Sequence, residues 1–107
     1  MPMKPKPSKQ SLKQASACAE KLKVLSDPTR MRVLESLRDG PKHVNALMKV
    51  LKIEQSLLSH HLQALRAAEL VESERDGKGV LYKLASAAAL RDNGGKIDLG
   101  CCQLTFE

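Results

Sequence analysis

Two short apolar repeats separated by three residues constrain the fold of this chain more than any other feature. Apolar side chains recur at helical spacing over Val44–Leu51 and again from about Gln55 to Ala68, with Lys52-Ile53-Glu54 between them. The second segment opens with small polar side chains. Two short helices joined in this way by a tight turn are typical of a helix-turn-helix.

Alternating residues follow the second helix on both sides of a turn. Val71–Arg75 and Val80–Leu84 have the period of strands, and Asp76-Gly77-Lys78-Gly79 between them is a strong hairpin signal. A β-hairpin placed directly after a helix-turn-helix is a wing. The sequence therefore predicts a mainly α-helical α+β fold, a winged helix-turn-helix with a β-hairpin wing.

Further elements are expected on either side of this motif. One amphipathic helix is expected over Ser11–Leu25, and another begins at Pro28, with Asp27 as its N-cap, and ends near Gly40. A helix is also expected over Ala85–Arg91. The chain should divide into a disordered basic arm at 1–10, a winged domain at 11–92 and a C-terminal segment at 93–107. That last segment is too apolar to stay free in water, so we expect it to dock on this subunit or on a partner.

Charge and composition narrow the class of protein. The formal net charge of +6 favours a polyanionic partner, whereas an aromatic content of 2% argues against a base-stacking platform. No apolar run reaches the roughly 20 residues that cross a bilayer, and the basic start has no signal-peptide core. We therefore expect a cytoplasmic protein with no membrane partner, whose three cysteines are reduced thiols.

The order of these elements resembles that of the ArsR/SmtB family of winged-helix metalloregulators. The residues that carry the resemblance are Leu25–Leu34, Gln55–Val71 and the wing from Asp76 to Tyr82. The resemblance extends over roughly Cys18 to Leu84. It implies a dimeric repressor that binds operator DNA in the apo state and releases it when an inducer binds. It also implies that the first and last segments pack together at the dimer interface.

Candidate DNA contacts follow from residue chemistry at the start of the second motif helix, which the resemblance places in the major groove. Glutamine pairs with adenine edges, serine bonds several bases or a phosphate, and the helix N-terminus favours phosphate. The candidates there are Gln55, Ser56, Ser59 and His60, with a solvated polar face as the alternative. The expected phosphate partners are Lys42, Arg75, Lys78 and Lys83, each with a simple solubility charge as the alternative. His61 could brace its helix, reach a phosphate or, on paper, ligate a metal.

The sensor sites familiar in that family are absent from this sequence. Asn45–Lys52 contains no cysteine pair, and no histidine follows His61. What remains is Cys18, Cys101 and Cys102. Soft thiolates select soft ions, and trivalent arsenic or antimony commonly takes three sulfurs. We therefore expect As(III) or Sb(III) as the inducer, with no prosthetic group, at a site built within one subunit or between two.

Several alternatives to this sensor remain open. Cys18 could be a small core residue, because buried free cysteine is common. The pair Cys101-Cys102 could respond to oxidants or persulfides, for which a disulfide to Cys18 needs Cα atoms within about 7 Å. Cadmium, lead or zinc could bind with Asp98 or water as an extra ligand.

Two other function classes are disfavoured. An enzyme is not expected, because a Cys-His pair from Cys101 and His60 or His61 has no orienting third group. No small-molecule substrate is expected either. A purely protein-binding winged helix conflicts with the net charge and with the polar set from Gln55 to His60.

Overall fold

The computed structural model describes residues 9–86 and 96–106. Its elements are α1 (Lys9–Val24), α2 (Pro28–Leu37), β1 (Lys42–His43), α3 (Val44–Leu51), α4 (Gln55–Ala67), β2 (Val71–Asp76), β3 (Gly79–Leu84), β4 (Ile97–Asp98) and β5 (Gln103–Leu104). The predicted winged helix-turn-helix is confirmed. Helix α1 begins two residues before the expected start. Residues 1–8 of the expected arm and most of the helix expected over Ala85–Arg91 lie outside the described residues.

Helix α2 begins where the sequence predicts it. The side chain of Asp27 accepts a hydrogen bond from the backbone N–H of Arg30 at 3.1 Å, and Pro28 occupies the first turn. This hydrogen bond is the main cause of the lowered pKa of Asp27, because it stabilises the carboxylate. A charged N-cap and a proline without an N–H together satisfy the first turn of α2.

The turn between α3 and α4 depends on an unusual backbone conformation. Lys52 ends α3 with φ 56° and ψ 46°, in the left-handed region, and its N–H donates to the carbonyl of Met48 at 2.8 Å. The next residue, Ile53, packs against the core. Because the left-handed residue ends α3 abruptly and Ile53 anchors the turn, α4 starts within three residues of the end of α3.

The wing is part of a three-stranded antiparallel sheet in the order β1-β3-β2. Strands β2 and β3 pair from Val71 with Leu84 to Asp76 with Gly79. Gly77 in the two-residue turn has φ 64°, which glycine adopts without steric cost. Strand β1 was not predicted, because two residues carry no periodicity, and it attaches the start of α3 to the wing.

Aliphatic side chains from the helices and the sheet form one core. Leu34, Leu47 and Leu58 are fully buried, and they come from α2, α3 and α4 respectively. Helix α4 contributes Leu58, His61, Leu62 and Leu65 to its buried side. Because these residues recur every three or four positions, one face of α4 packs inward and the opposite face is left to solvent.

The C-terminal segment forms a small hairpin of β4 and β5 that docks on its own chain. Ile97 is 0% and Leu99 4% exposed, and both belong to the same core as the helices. The four-residue tip of the hairpin, from Leu99 to Cys102, is closed by a hydrogen bond from the N–H of Leu99 to the carbonyl of Cys102 at 2.8 Å. The expected docking of this segment therefore occurs within the subunit.

Among the residues that the structure describes, no helix has the length and apolar character needed to span a membrane.

Replacing Asp27 with alanine removes the N-cap of α2, and we expect a loss of about 1 kcal/mol in the free energy of unfolding. Asparagine at this position keeps an acceptor and should cost less. Because the folded state lowers the pKa of Asp27 below its ordinary value of 3.8, the stabilisation is present above that pH. The stability difference between wild type and Asp27→Ala should therefore shrink on acidification below 3.8. Urea unfolding at neutral and acid pH measures this difference. Equal stability of both proteins at neutral pH would contradict the role of Asp27 as the N-cap of α2.

Candidate nucleic-acid interface and cysteine cluster

The solvent face of α4 brings together the four polar residues predicted to contact DNA. Because Leu58, Leu62 and Leu65 are buried on the opposite side, the first two turns of α4 are oriented with their polar groups outward. Gln55, Ser56 and His60 are exposed, and Ser59 is half-buried. The N-terminal end of α4 thus combines hydrogen-bonding side chains with free backbone N–H groups, which together suit base edges and phosphates.

This face is a shallow groove with two further polar residues that the sequence analysis missed. Glu54 and Gln63 line it together with the four predicted side chains. The hydroxyl of Ser56 donates to the carboxylate of Glu54 at 2.8 Å. Gln63 could have been found from helical spacing, since it lies four residues after Ser59 on the same face. Glu54 offers no comparable sequence signal, because an acidic residue before a helix is most simply a cap.

His61 lies on the other side of α4 from this groove. Its side chain is buried, with 8% of the residue exposed, and its Nδ1 accepts a hydrogen bond from Nε of Arg30 at 3.0 Å. The ring contacts that of His60 edge to face, with centroids 5.7 Å apart. Of the roles open to His61, bracing α4 against α2 is the one that this geometry favours. Arg30 was not singled out by the sequence analysis.

The basic residues predicted on the wing differ in their surroundings. Arg75 and Lys78 are exposed at and beside the hairpin turn. Nζ of Lys83 lies 3.9 Å from the carboxylate of Glu74 on the neighbouring strand. Lys42 lies before the motif, and its ammonium group donates to the carbonyl of Ser36 near the end of α2. A phosphate contact by Lys42 would compete with this hydrogen bond, so Arg75 and Lys78 are the more accessible pair.

A histidine also connects the wing to the helix-turn-helix. Nε2 of His43, the residue before α3, lies 3.1 Å from the carboxylate of Asp76 at the wing turn. The sequence places these residues 33 positions apart, so only the pairing of β1 with β3 brings them together. The contact holds the wing turn beside the start of α3.

The three cysteines meet at the tip of the C-terminal hairpin. Cys101 and Cys102 occupy that tip, and Cys18 lies on α1 beside it. Cys18 and Cys101 are joined by a disulfide with Cα atoms 6.1 Å apart. The free sulfur of Cys102 is 3.9 Å from that of Cys18. The expectation that all three cysteines are reduced thiols is therefore wrong for this structure, because docking of the hairpin brings Cys18 and Cys101 within bonding reach.

The cluster has the composition of a soft-ion site. The sulfur atoms of Cys18, Cys101 and Cys102 all lie within 4.8 Å of one another, and all three come from one chain. Within residues 9–86 and 96–106, this is the only group of three or more His, Cys, Asp or Glu side chains with such a spacing. Cys101 is exposed and the other two are half-buried, so the cluster is accessible from solvent. When all three cysteines are reduced, the cluster offers three thiolate donors to a metal ion. When the disulfide is formed, only the sulfur of Cys102 remains as a thiolate donor.

Comparison with known proteins identifies relatives of this fold. Residues 27–73 match the family model described as bacterial regulatory protein, arsR family. The chain is 41% identical over 69 residues to the HTH-type transcriptional repressor SmtB of Mycobacterium tuberculosis, covering 64% of this chain and 51% of that protein. It is 35% identical over 85 residues to the nodulation protein NolR of Rhizobium meliloti, covering 79% of this chain and 70% of that protein. The chain thus spans only about half the length of the first of these relatives.

A solved structure of a related domain has a similar fold. The homodimeric winged helix-turn-helix DNA-binding domain of a possible ArsR-family regulator from Mycobacterium bovis superposes with a TM-score of 0.68 at 28% identity. The alignment covers 74% of this chain and 73% of that domain. The order of helices and strands, the family model and the extent of the NolR match lead to one conclusion: the chain belongs to the ArsR family of bacterial regulatory proteins.

Proposed function

We propose that this chain is a homodimeric, DNA-binding transcriptional repressor that leaves its operator when trivalent arsenic or antimony binds Cys18, Cys101 and Cys102. The observation that carries the inducer assignment is the spacing of the three sulfur atoms, all within 4.8 Å of one another. The family relationship and the polar face of α4 support the DNA-binding part.

Duplex DNA is the partner that fits the polar face and the charge. The groove on α4 presents amide, hydroxyl and imidazole groups, which pair with base edges in the major groove. Arg75 and Lys78 on the wing supply positive charge for the phosphate backbone. The net charge of +6 adds a general attraction to DNA. In this assignment α4 reads the sequence and the wing holds the duplex.

The exposed face of α1 supports a homodimer. Leu12, Ala15, Ala19 and Leu22 recur at helical spacing, and all four are exposed in the single chain. Leu12 is 59% and Leu22 43% exposed, which is unusual for large apolar side chains on one stripe. The related domain from Mycobacterium bovis is homodimeric. We assign this stripe of α1 to the interface with a second copy, next to the cysteine cluster.

The chemistry of the cluster suits a trivalent thiophilic ion. Arsenous acid exchanges its three hydroxyl groups for three cysteine sulfurs, and the three hydroxyls leave as water with the thiol protons. Each new bond joins arsenic to a soft donor, which is the pairing that such ions prefer. One of the three sulfurs belongs to α1 and two belong to the hairpin, so binding fixes the hairpin against α1. DNA release follows if this arrangement is less compatible with the DNA-bound dimer than the free thiols are.

A second inducer chemistry is favoured by one specific observation, the bond between Cys18 and Cys101. Two thiols give up two protons and two electrons to an oxidant such as a peroxide, and the disulfide forms between α1 and the hairpin. This reaction needs only two of the three cysteines, whereas the arsenic site needs all of them. Cys102 therefore separates the two candidate functions.

Removing the hydroxyls of Ser56 and Ser59 together should weaken DNA binding and leave the fold unchanged. Two lost hydrogen bonds are worth about 2 kcal/mol, or roughly a thirtyfold increase in Kd. Fluorescence anisotropy at constant salt measures this with a duplex selected from a random pool by the reduced wild-type protein. Ser86→Ala, at an exposed serine beyond the wing, is the matched control and should bind normally. Normal binding by the double variant would refute the assignment of α4 to DNA reading.

Replacing Cys102 with serine should abolish release by arsenite and preserve release by oxidation. Reduced wild-type protein bound to the same duplex should dissociate with about one arsenic per subunit, as a single three-sulfur site requires. Cys102→Ser retains Cys18 and Cys101, so peroxide should still link them. Cys18→Ser leaves only the adjacent Cys101 and Cys102, which cannot complete a three-sulfur site and cannot bridge each other without strain, so this variant loses both chemistries and is the matched control. Anisotropy follows release, and peptide mapping after alkylation identifies the linked cysteines.

The two candidate inducers give opposite results in this experiment. Release of wild-type protein by arsenite, lost in Cys102→Ser, supports the three-sulfur site. Release by peroxide alone, unchanged in Cys102→Ser, assigns the sensor to the pair of Cys18 and Cys101. Release by arsenite from Cys18→Ser and Cys102→Ser alike would place the sensor elsewhere.

A further inference from the structure

One guanidinium group joins three helices. Arg30 lies on the first turn of α2, and its Nη1 donates to the carbonyl of Val24, the last residue of α1, at 3.2 Å. Its Nε donates to Nδ1 of His61 on α4 at 3.0 Å. The side chain of Arg30 is half-buried, and His61 is buried. A single side chain thus contacts both the helix that carries Cys18 and the helix that carries the polar groove.

The geometry of the guanidinium group constrains the relative positions of the helices that it contacts. The guanidinium is planar, with donors at fixed angles, so two hydrogen bonds to different helices define how those helices sit relative to each other. To accept from Arg30, Nδ1 of His61 must be unprotonated. A lysine at position 30 keeps the charge but has no Nε–H donor and no planar geometry. Replacing Arg30 with lysine should therefore disrupt the contact with His61, even though the positive charge is kept.

The contact lies on a short structural route between the two candidate sites. Cys18 and Val24 are six residues apart on α1, which corresponds to about 9 Å along the helix axis. On α4, His61 directly follows Ser59 and His60, which line the groove. Because a helix moves largely as a rigid body over so few residues, a shift of α1 at Cys18 displaces the carbonyl that Arg30 contacts.

We propose that Arg30, through its hydrogen bond to His61, is the positioning residue that transmits the state of the cysteine cluster to the DNA-reading face of α4. The inference rests on the proposed function, because it requires a signal at Cys18 and DNA at α4. Arg30 touches neither the inducer nor DNA in this account. It sets the position of α4 in response to α1, and each of its two side-chain hydrogen bonds is required.

The quantity that tests this proposal is a ratio of two dissociation constants. The Kd for the selected duplex is measured with reduced protein alone and with reduced protein saturated by arsenite. In the wild type we expect the ratio to lie in the usual range for allosteric coupling, about 5- to 150-fold. In Arg30→Lys we expect it to fall to about 3-fold or less, below the range typical of coupled sites. Arsenite binding itself, followed through the thiolate absorption, should be unchanged.

Matched variants separate coupling from stability. Arg32→Lys changes another arginine of α2, whose guanidinium donates to the carbonyl of Val50 near the exposed end of α3, and its ratio should match the wild type. His61→Gln removes the acceptor at the Nδ1 position and should reproduce the loss. His61→Asn retains an amide oxygen near that position and should restore the ratio. Thermal melts by circular dichroism verify that each variant is folded. If Arg30→Lys does not fold, the two His61 variants are sufficient to test the proposal.

Each outcome decides for or against the proposal. The proposal is supported if the ratio of DNA dissociation constants is lost in Arg30→Lys and His61→Gln. The same ratio must be kept in Arg32→Lys and His61→Asn. An unchanged ratio in Arg30→Lys, or a weakening of DNA binding by the same factor in both states, overturns it and leaves the proposed function intact. If arsenite has no effect on the wild type, the same ratio is taken between the reduced and the disulfide-linked protein. If neither treatment changes wild-type binding, the proposed function fails, and this proposal fails with it.

Discussion

Burial of leucine side chains between α2, α3 and α4 determines the orientation of the polar groove on α4. Leu58, Leu62 and Leu65 are at most 1% exposed, and each contributes about 2 kcal/mol by leaving water. Rotating α4 by one residue would expose some of them and bury part of the polar groove. The side chains that face DNA in our proposal are thus oriented by apolar packing on the other side of the same helix.

The same core also positions the cysteine cluster. Ile97 and Leu99 insert into it and hold the C-terminal hairpin against the body of the domain. Gly100 at the hairpin tip has φ 92°, a conformation that side-chain-bearing residues rarely adopt, and its N–H donates to the side chain of Asp98 at 2.7 Å. This tight tip presents Cys101 and Cys102 to Cys18. Phe106 adds a second anchor, since its ring lies 5.0 Å from the guanidinium carbon of Arg38.

Much of this arrangement could be predicted from periodicity and turn chemistry. The start of α2 at Asp27-Pro28 and the hairpin at Gly77 each have a local signal, the short connection at Lys52 follows from the gap between two periodic segments, and all three are present in the structure. The polar residues on α4 could be predicted because they lie off the apolar face of that helix. The grouping of Cys18 with Cys101 and Cys102 was anticipated only through family resemblance, since they are more than 80 positions apart.

The features that were missed all depend on tertiary contacts. Strand β1 is too short to have a pattern, and the pair of His43 and Asp76 exists only because β1 joins the sheet. Arg30 reads as an ordinary helix residue until α1 and α4 are placed on either side of it. The bonded state of Cys18 and Cys101 was not expected, because free thiols were predicted from an expected cytoplasmic location, whereas the hairpin brings the two sulfurs together.

In the proposed mechanism, binding of the inducer weakens the binding of operator DNA, and binding of DNA weakens the binding of the inducer. Thermodynamic linkage makes this testable from the inducer side. The Kd for arsenite is measured with reduced protein in the absence of DNA and again with the protein saturated by its selected duplex. We expect weaker arsenite binding in the complex, by the same factor by which arsenite weakens DNA binding. Equal arsenite affinities with and without DNA would contradict it.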